Sequence, residues 1–311
     1  MDIVASLKDT DIAAIFNPTR DAFVPLLQAH RADIESIKRT TFKYGITERQ
    51  QLDVYHPPSD STLTSRKAPL LFFVYGGGFV EGDRQFSPPY DLGYVNVGAF
   101  FAKQGFLTVI PDYRLVPSVT YPQPVKDVRD AISWVVENAE KITSEASIQV
   151  DLHSIFLMGH SAGATHVSTA ILYPGLIPAG IRARIRGLIL KGGALSFAEE
   201  DGVGPLILPY YLSWEVARAQ MPTTLVERAS DDVIANFPDV LLMASEREPH
   251  GGWKMSEDFA AILKKRMGNN FVVVPMKGHN HISPHWALCT GQGEDWAVEV
   301  AEWIKVRAAS K

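Results

Sequence analysis

The chain has 311 residues, 46% of them hydrophobic and 21% charged, and 30 Lys and Arg against 35 Asp and Glu give a formal net charge of -5. That composition supports a sizeable core and excludes a disordered, collagenous or coiled-coil chain. Mild acidity without a concentrated basic tract argues against nucleic acid or an anionic membrane as the main partner, which leaves a small molecule.

One cysteine, Cys289, excludes an intramolecular disulfide and a clustered thiolate metal site and fits a reducing compartment. Residues 1–5 lack a basic stretch followed by an apolar one, and no apolar run is long enough to span a bilayer, so a cytoplasmic location is the expectation.

Between Asp11 and Thr40 the residues Ile12, Ile15, Phe16, Phe23, Leu26, Leu27, Ile34 and Ile37 recur at mixed three- and four-residue steps. This predicts two short amphipathic helices and a helical cap segment over residues 1–40. Residues 41–46 and 50–55 alternate like strands and predict a hairpin at a sheet edge, followed by a polar loop from Pro57 to Lys67. Continuous apolar runs then appear at 70–74, 106–110, 155–158, 188–190, 240–243 and 271–274, the pattern of strands buried on both faces. Helical patterns separate them at 94–104, 125–139, 162–172 and 256–267, so residues 41–311 read as one α/β core with a mostly parallel sheet. About fifty residues between the runs at 188–190 and 240–243 exceed a plain crossover and predict an inserted cap over about 196–236, helical through 205–229. Residues 293–307 close the chain as a helix with Trp296, Val300, Trp303 and Ile304 on one face.

Gly159-His160-Ser161-Ala162-Gly163 lies between the run at 155–158 and the helical pattern after it. A nucleophile elbow needs this context: a serine on a strained strand-to-helix turn, small neighbours that avoid backbone clashes, and a helix N-terminus offering amides to an oxyanion. The pentapeptide alone is a weak signal and also fits a Gly-rich helix cap; the strand before it and the helix after it favour the nucleophile. Tyr75-Gly76-Gly77-Gly78-Phe79 directly follows the run at 70–74, and glycines there let the backbone approach a carbonyl and turn its N–H groups inward. The competing readings are a structural turn and a phosphate-binding loop, but the run lacks both the Gly-Lys-Ser/Thr ending and the Gly-x-Gly-x-x-Gly spacing.

With these motifs the chain resembles the α/β-hydrolase superfamily, and within it esterases of the hormone-sensitive-lipase type and their fungal kynurenine-formamidase-like relatives, over roughly residues 41–306. The matches run in order: Gly76 to Gly78, then Asp112-Tyr113-Arg114-Leu115-Val116-Pro117 with Tyr121-Pro122 and Asp127, then the elbow at Ser161. The chain departs at Tyr75, where such esterases usually carry His. The resemblance implies the α/β-hydrolase fold, an eight-stranded, mostly parallel sheet flanked by helices with a helical cap, and the chain order Ser, acid, His.

The resemblance also implies an acid after 240–243 and a histidine after 271–274. Glu248 stands where relatives usually have Asp before Pro, with Glu246 as the alternative, while Asp239 lies at the wrong end of its strand and reads as surface solvation. The family's Gly-x-x-His spacing selects His281 over His279. Ser161 is then the nucleophile, His281 the base and Glu248 the acid that orients it, with oxyanion-hole amides from Gly77, Gly78 and Ala162. Expected substrate-binding residues are Tyr75, Phe79, His160, Tyr210, Tyr211 and Trp214, with Phe16, Phe23 and Leu206 as further candidates for the acyl wall; ordinary packing is the plain alternative. His166 and His250 read as structural or surface residues. A metal on His279, His281 and His285 is allowed by composition, but one tract supplies all three with no carboxylate signature, so neither metal nor cofactor is expected.

The implied activity is cleavage of a carboxylic ester of a small apolar substrate through an acyl-enzyme, with a homodimer left open. Two alternatives stay in view. One is a lactone-forming cyclase of fungal secondary metabolism that uses the same three residues. The other is a non-catalytic small-molecule receptor, since plant hormone receptors have been built on this fold after losing the histidine.

Overall fold

The apolar runs form the middle of a single sheet in a computed structural model that describes residues 1–58, 67–144 and 148–309. The strands are β1 (Arg39–Lys43), β2 (Gln51–Tyr55), β3 (Lys67–Val74), β4 (Leu107–Pro111), β5 (Gln149–His160), β6 (Ile185–Lys191), β7 (Asp239–Arg247) and β8 (Val273–Asn280). Their order across the sheet is β1-β2-β4-β3-β5-β6-β7-β8. β2 runs antiparallel to both β1 and β4, whereas the remaining neighbours pair parallel. In the two central strands residues 70–74 and 155–158 are fully buried. Each large apolar side chain removed from water in this way contributes about 1.5–3 kcal/mol.

Helices Val95–Lys103, Ala162–Leu172, Gly252–Met267 and Asp295–Ala309 pack against the sheet, and Gln123–Glu137 packs on Ala162–Leu172. Among the described residues no helix is long and apolar enough to cross a membrane. Four α-helices occupy the long connection between β6 and β7: Gly204–Tyr211, Trp214–Gln220, Pro222–Arg228 and Asp231–Ala235.

Two expectations need adjustment. Instead of two short helices, the N-terminal segment has the short Asp2–Ser6, one 18-residue helix, Ile12–Ala29, that carries Pro18 and Pro25 inside it, and a further turn at Arg31–Glu35. Tertiary packing overrides the prolines, because Ile15, Thr19, Phe23 and Leu27 form a four-residue-spaced buried stripe. The strand expected at 271–274 starts later and runs on to Asn280, because Asn280 pairs with Arg247 beyond a register shift. His279 therefore lies on the strand and His281 just past its end. The polar loop expected from Pro57 to Lys67 falls on residues 59–66, outside the described residues, except at its ends.

The Asp112 to Asp127 segment is tied down by charge. Asp127, fully buried in Gln123–Glu137, accepts hydrogen bonds from the Arg114 backbone N–H at 2.9 Å, from Arg114 Nε at 2.8 Å and Nη2 at 2.7 Å, and from Gln50 Nε2 at 3.1 Å. Asp127→Ala leaves those donors without their acceptor and should cost roughly 3 kcal/mol, read as a lowered denaturant midpoint with an unchanged slope. An unshifted midpoint would mean that the segment holds its place without this pair.

Candidate active site

β5 ends at His160 and the next helix starts at Ala162, so Ser161 alone makes the turn, at φ 52° and ψ −124°. A serine held there stores about 1–3 kcal/mol of strain. The surroundings impose it: the Ser161 amide donates to the Lys191 carbonyl at 2.9 Å, and its own carbonyl accepts from Ala164 at 3.0 Å. The neighbouring glycines are there for clearance. A Cβ on Gly159 would lie 2.5 Å from the Ala164 Cα, and one on Gly163 would lie 2.1 Å from the Val74 carbonyl oxygen.

The glycine run sits against this turn. A Cβ on Gly76 would approach the Ser161 Cβ to 2.7 Å. Gly77 and Gly78 take φ of 128° and 57°, the left-handed range that glycine enters freely. Neither amide has an acceptor among the described residues, and the Ala162 amide, first in its helix, has no intrahelical one. Three N–H groups are thus left for a ligand oxygen.

Tyr75, expected to bind substrate, instead anchors this loop. Its ring is fully buried and stacked between Tyr94 and Tyr113, with centroids at 5.4 and 5.0 Å. Its hydroxyl donates to Asp112 Oδ1 at 2.6 Å, and the Tyr113 hydroxyl donates to the Tyr75 carbonyl at 2.8 Å. Arg49 adds bonds to the Gly82 and Tyr113 carbonyls, both at 2.8 Å, and Arg84 pairs with Asp112. The Asp-Tyr-Arg motif thus acts on the glycine loop through Asp112 and Tyr113.

His281 and Glu248 are in contact. His281 Nδ1 is bonded to Glu248 Oε2, and the side chains of both are almost wholly buried. Glu248 Oε1 accepts from the Ser245 amide at 2.7 Å. Burial pushes the Glu248 carboxyl up, but the His281 imidazole and the Ser245 amide more than offset this and hold it below the usual carboxylate range. Glu246 is turned elsewhere and accepts from the Gly278 amide at 2.7 Å. His279 is engaged with the Ser283 hydroxyl and the Gly293 carbonyl, both at 2.9 Å, and burial pushes its imidazole down to about 4.

Ser161, His281, His160 and the three glycines line one cavity of about 490 Å³. Its other walls include Phe16 from the N-terminal helix, Phe86, Tyr94 and Trp286, and Pro205 and Leu206 from the long connection. Phe79, Tyr210, Tyr211 and Trp214, expected at this wall, are not part of it. Phe79 stacks on Tyr210 at 4.3 Å, Tyr211 packs against both Tyr210 and Phe197, and Trp214 lies on the same separate cluster. The Tyr210 hydroxyl meets His166 Nδ1 at 3.2 Å, and burial pushes that imidazole down to about 3. Phe23 is likewise in the main core. These rings bury one another because each satisfies its neighbour's apolar face, leaving none to turn toward the cavity.

Several cavity residues carried no motif. His285 lines it and meets the buried Lys191 Nζ through Nε2 at 2.9 Å, while its ring packs 4.3 Å from that of His160, itself 4.6 Å from His281. Burial drives His160, His285 and Lys191 well below their ordinary values. Arg20 also lines the cavity, and its sequence signal is a charge four residues after Phe16 on the apolar side of a helix. Another concavity, of about 530 Å³, lies at the amino-terminal ends of β6 and β7 and has no serine, cysteine or histidine in its lining.

Each functional segment thus follows the carboxyl end of a strand: Gly76–78 after β3, Ser161 after β5, Glu248 after β7, His281 after β8. The same architecture recurs in a hyperthermophilic esterase from the archaeon Pyrobaculum calidifontis, with a TM-score of 0.68 at 21% identity over 99% of this chain and 97% of that one. The BD-FAE family model matches residues 52–173, which contain the glycine run, the Asp-Tyr-Arg segment and the elbow. The chain has the α/β-hydrolase fold. Among the proteins that the chain is similar to, a kynurenine formamidase from Drosophila melanogaster is 22% identical over 83% of this chain and 80% of its own length. Esterase LipC from Mycobacterium tuberculosis is 33% identical over 42% of this chain and only 29% of its own length.

Gly163→Ala should be destabilised by about 3 kcal/mol or more, since a main-chain oxygen cannot move aside as a side chain can. Gly180→Ala, where an added Cβ meets nothing within 4 Å, should be close to silent. Thermal midpoints of the two proteins measure the contrast, and equal midpoints would mean that the elbow relaxes around the methyl group.

Proposed function

We propose that this α/β-hydrolase is a serine carboxylic-ester hydrolase. The observation that carries the reading is the His281–Glu248 bond on the wall of the cavity that holds Ser161 at its strained turn. Nδ1 is committed to Glu248, so Nε2 is the nitrogen left for proton transfer with serine.

His281 Nε2 takes the Ser161 Oγ proton as Oγ bonds to the acyl carbon, and the charge on the carbonyl oxygen is met by the amides of Gly77, Gly78 and Ala162. Collapse breaks the acyl C–O bond, and the leaving alcohol takes the proton from His281. Water then gives a proton to His281 and attacks the acyl carbon, releasing the acid and restoring Ser161–OH. Glu248 stays ionised and stabilises the imidazolium, consistent with its depressed carboxyl. The presence of both serine and histidine favours turnover over a receptor role, and the names of the relatives support acyl transfer to water. The aromatic walls suit a substrate with a flat or bulky apolar part.

Ser161→Ala should lose fluorophosphonate labelling and reduce kcat on a 4-nitrophenyl ester by on the order of 10⁶. A variant that retained a tenth of the activity would exclude a covalent serine mechanism.

Among neighbouring pairs, His281→Ala should be inactive and His279→Ala active, while Glu248→Gln should fall by about 10⁴ and Glu246→Gln by less than threefold. Steady-state kinetics of the four variants decides the assignment, and a dead Glu246→Gln beside an active Glu248→Gln would reverse it.

A further inference from the structure

The N-terminal helix Ile12–Ala29 carries a charge on the side that faces the cavity. Ile12, Phe16 and Arg20 follow at four-residue steps, and all three line the cavity that contains Ser161. Arg20 is only 9% exposed. Its guanidinium carbon lies 3.7 Å from the Tyr90 ring centroid, 4.6 Å from Phe16 and 5.2 Å from both Phe86 and Trp286. Aromatic rings hold a guanidinium by its faces, and its in-plane N–H groups then remain for a planar acceptor.

No group among the described residues takes that role. Arg20 forms no hydrogen bond or ion pair among the described residues, and its buried Nε has no acceptor. The nearby carboxylates do not serve: Asp21 accepts from the Tyr90 hydroxyl at 2.6 Å, and Glu81 lines the same cavity outside ion-pair distance. Other arginines packed at the sheet end are paired, Arg84 with Asp53 and Asp112, Arg114 with Asp127. Burial also pulls the Arg20 guanidinium below its ordinary value, the cost of a cation that lacks a partner. In a chain of net charge -5, this is a positive group placed inside the reaction cavity.

We propose that Arg20 determines specificity by binding a carboxylate of the substrate, so that the preferred ester carries a second, anionic group in addition to the bond that is cleaved. The assignment rests on the ester-hydrolase reading given above. The aromatic box presets the guanidinium, and a bidentate carboxylate supplies the acceptors that the protein lacks. The competing role is structural, with Arg20 only clamping the helix to Tyr90 and Trp286.

Two matched ester pairs separate these roles: 4-nitrophenyl hexanoate against 4-nitrophenyl hydrogen adipate for the acyl side, and 4-methylphenyl acetate against 4-acetoxybenzoate for the alcohol side. In at least one pair, Arg20→Met should lower kcat/KM for the anionic member tenfold or more, mainly through KM, with the neutral member within threefold. Arg20→Lys should recover part of the preference. Equal changes for both members of both pairs, or wild-type and Arg20→Met preferences that coincide, would overturn the assignment while the neutral esters still report a working hydrolase. A wild type inert toward all four esters and to fluorophosphonate would instead overturn the hydrolase reading, and this assignment with it.

Discussion

The contact between the first turn of helix Ala162–Leu172 and the carboxyl end of β3 is the constraint around which the site is arranged. Gly163 passes so close to the Val74 carbonyl that a methyl group cannot fit between them. β3 and β5 are parallel neighbours with Val74 opposite Gly159, so their outgoing segments emerge side by side. The glycine run and the serine turn therefore meet without any long connection. Glu248 and His281 come from farther along the sheet, and β6 stands between β5 and β7. Its exit residue, Gly192, leaves the space, since a Cβ there would lie 2.8 Å from Glu248 Oε1.

Around that contact lies an unusually polar layer for the end of a sheet. Asp112, Tyr75, Tyr113, Arg49 and Arg84 satisfy one another while holding the glycine loop from behind. Buried polar groups are tolerated when their hydrogen bonds are complete, and such networks also fix geometry. This explains how a tyrosine can occupy the place where related esterases usually carry histidine. The phenol supports the loop from its buried side, and the amides that face the cavity are untouched.

The cavity itself is completed by pieces remote in sequence. Residue 16 and residue 20 come from the first long helix, residue 206 from the connection after β6, and Trp286 from the short helix Ser283–Ala287. Because two walls belong to segments outside the sheet, the lining can vary while Ser161, Glu248 and His281 stay fixed at strand ends. Arg20 belongs to this variable part of the wall.

The strands, the elbow and the glycine run were legible in the chain because each depends on local pattern. A run of Val, Ile, Leu and Phe bounded by turn residues is buried on both faces wherever it pairs, and Gly159 and Gly163 mark close approaches by their lack of a Cβ. The choice of Glu248 over Glu246 and of His281 over His279 came from the resemblance to a family pattern, and in the structure Glu248 is bonded to His281 while Glu246 and His279 have other partners. What lay beyond the sequence was the partner of each buried ring. Periodicity shows that Phe16 and Phe23 leave the solvent, but Phe16 faces the cavity and Phe23 the core; it shows the same for Leu206 and Tyr210, which divide between cavity and core as well. Hydrophobic burial is non-directional, so it records that a side chain is removed from water without recording which surface covers it. Only the packing of distant helices decided that, and it also decided that Arg20, with no hydrogen bond among the described residues, would line the cavity that holds Ser161.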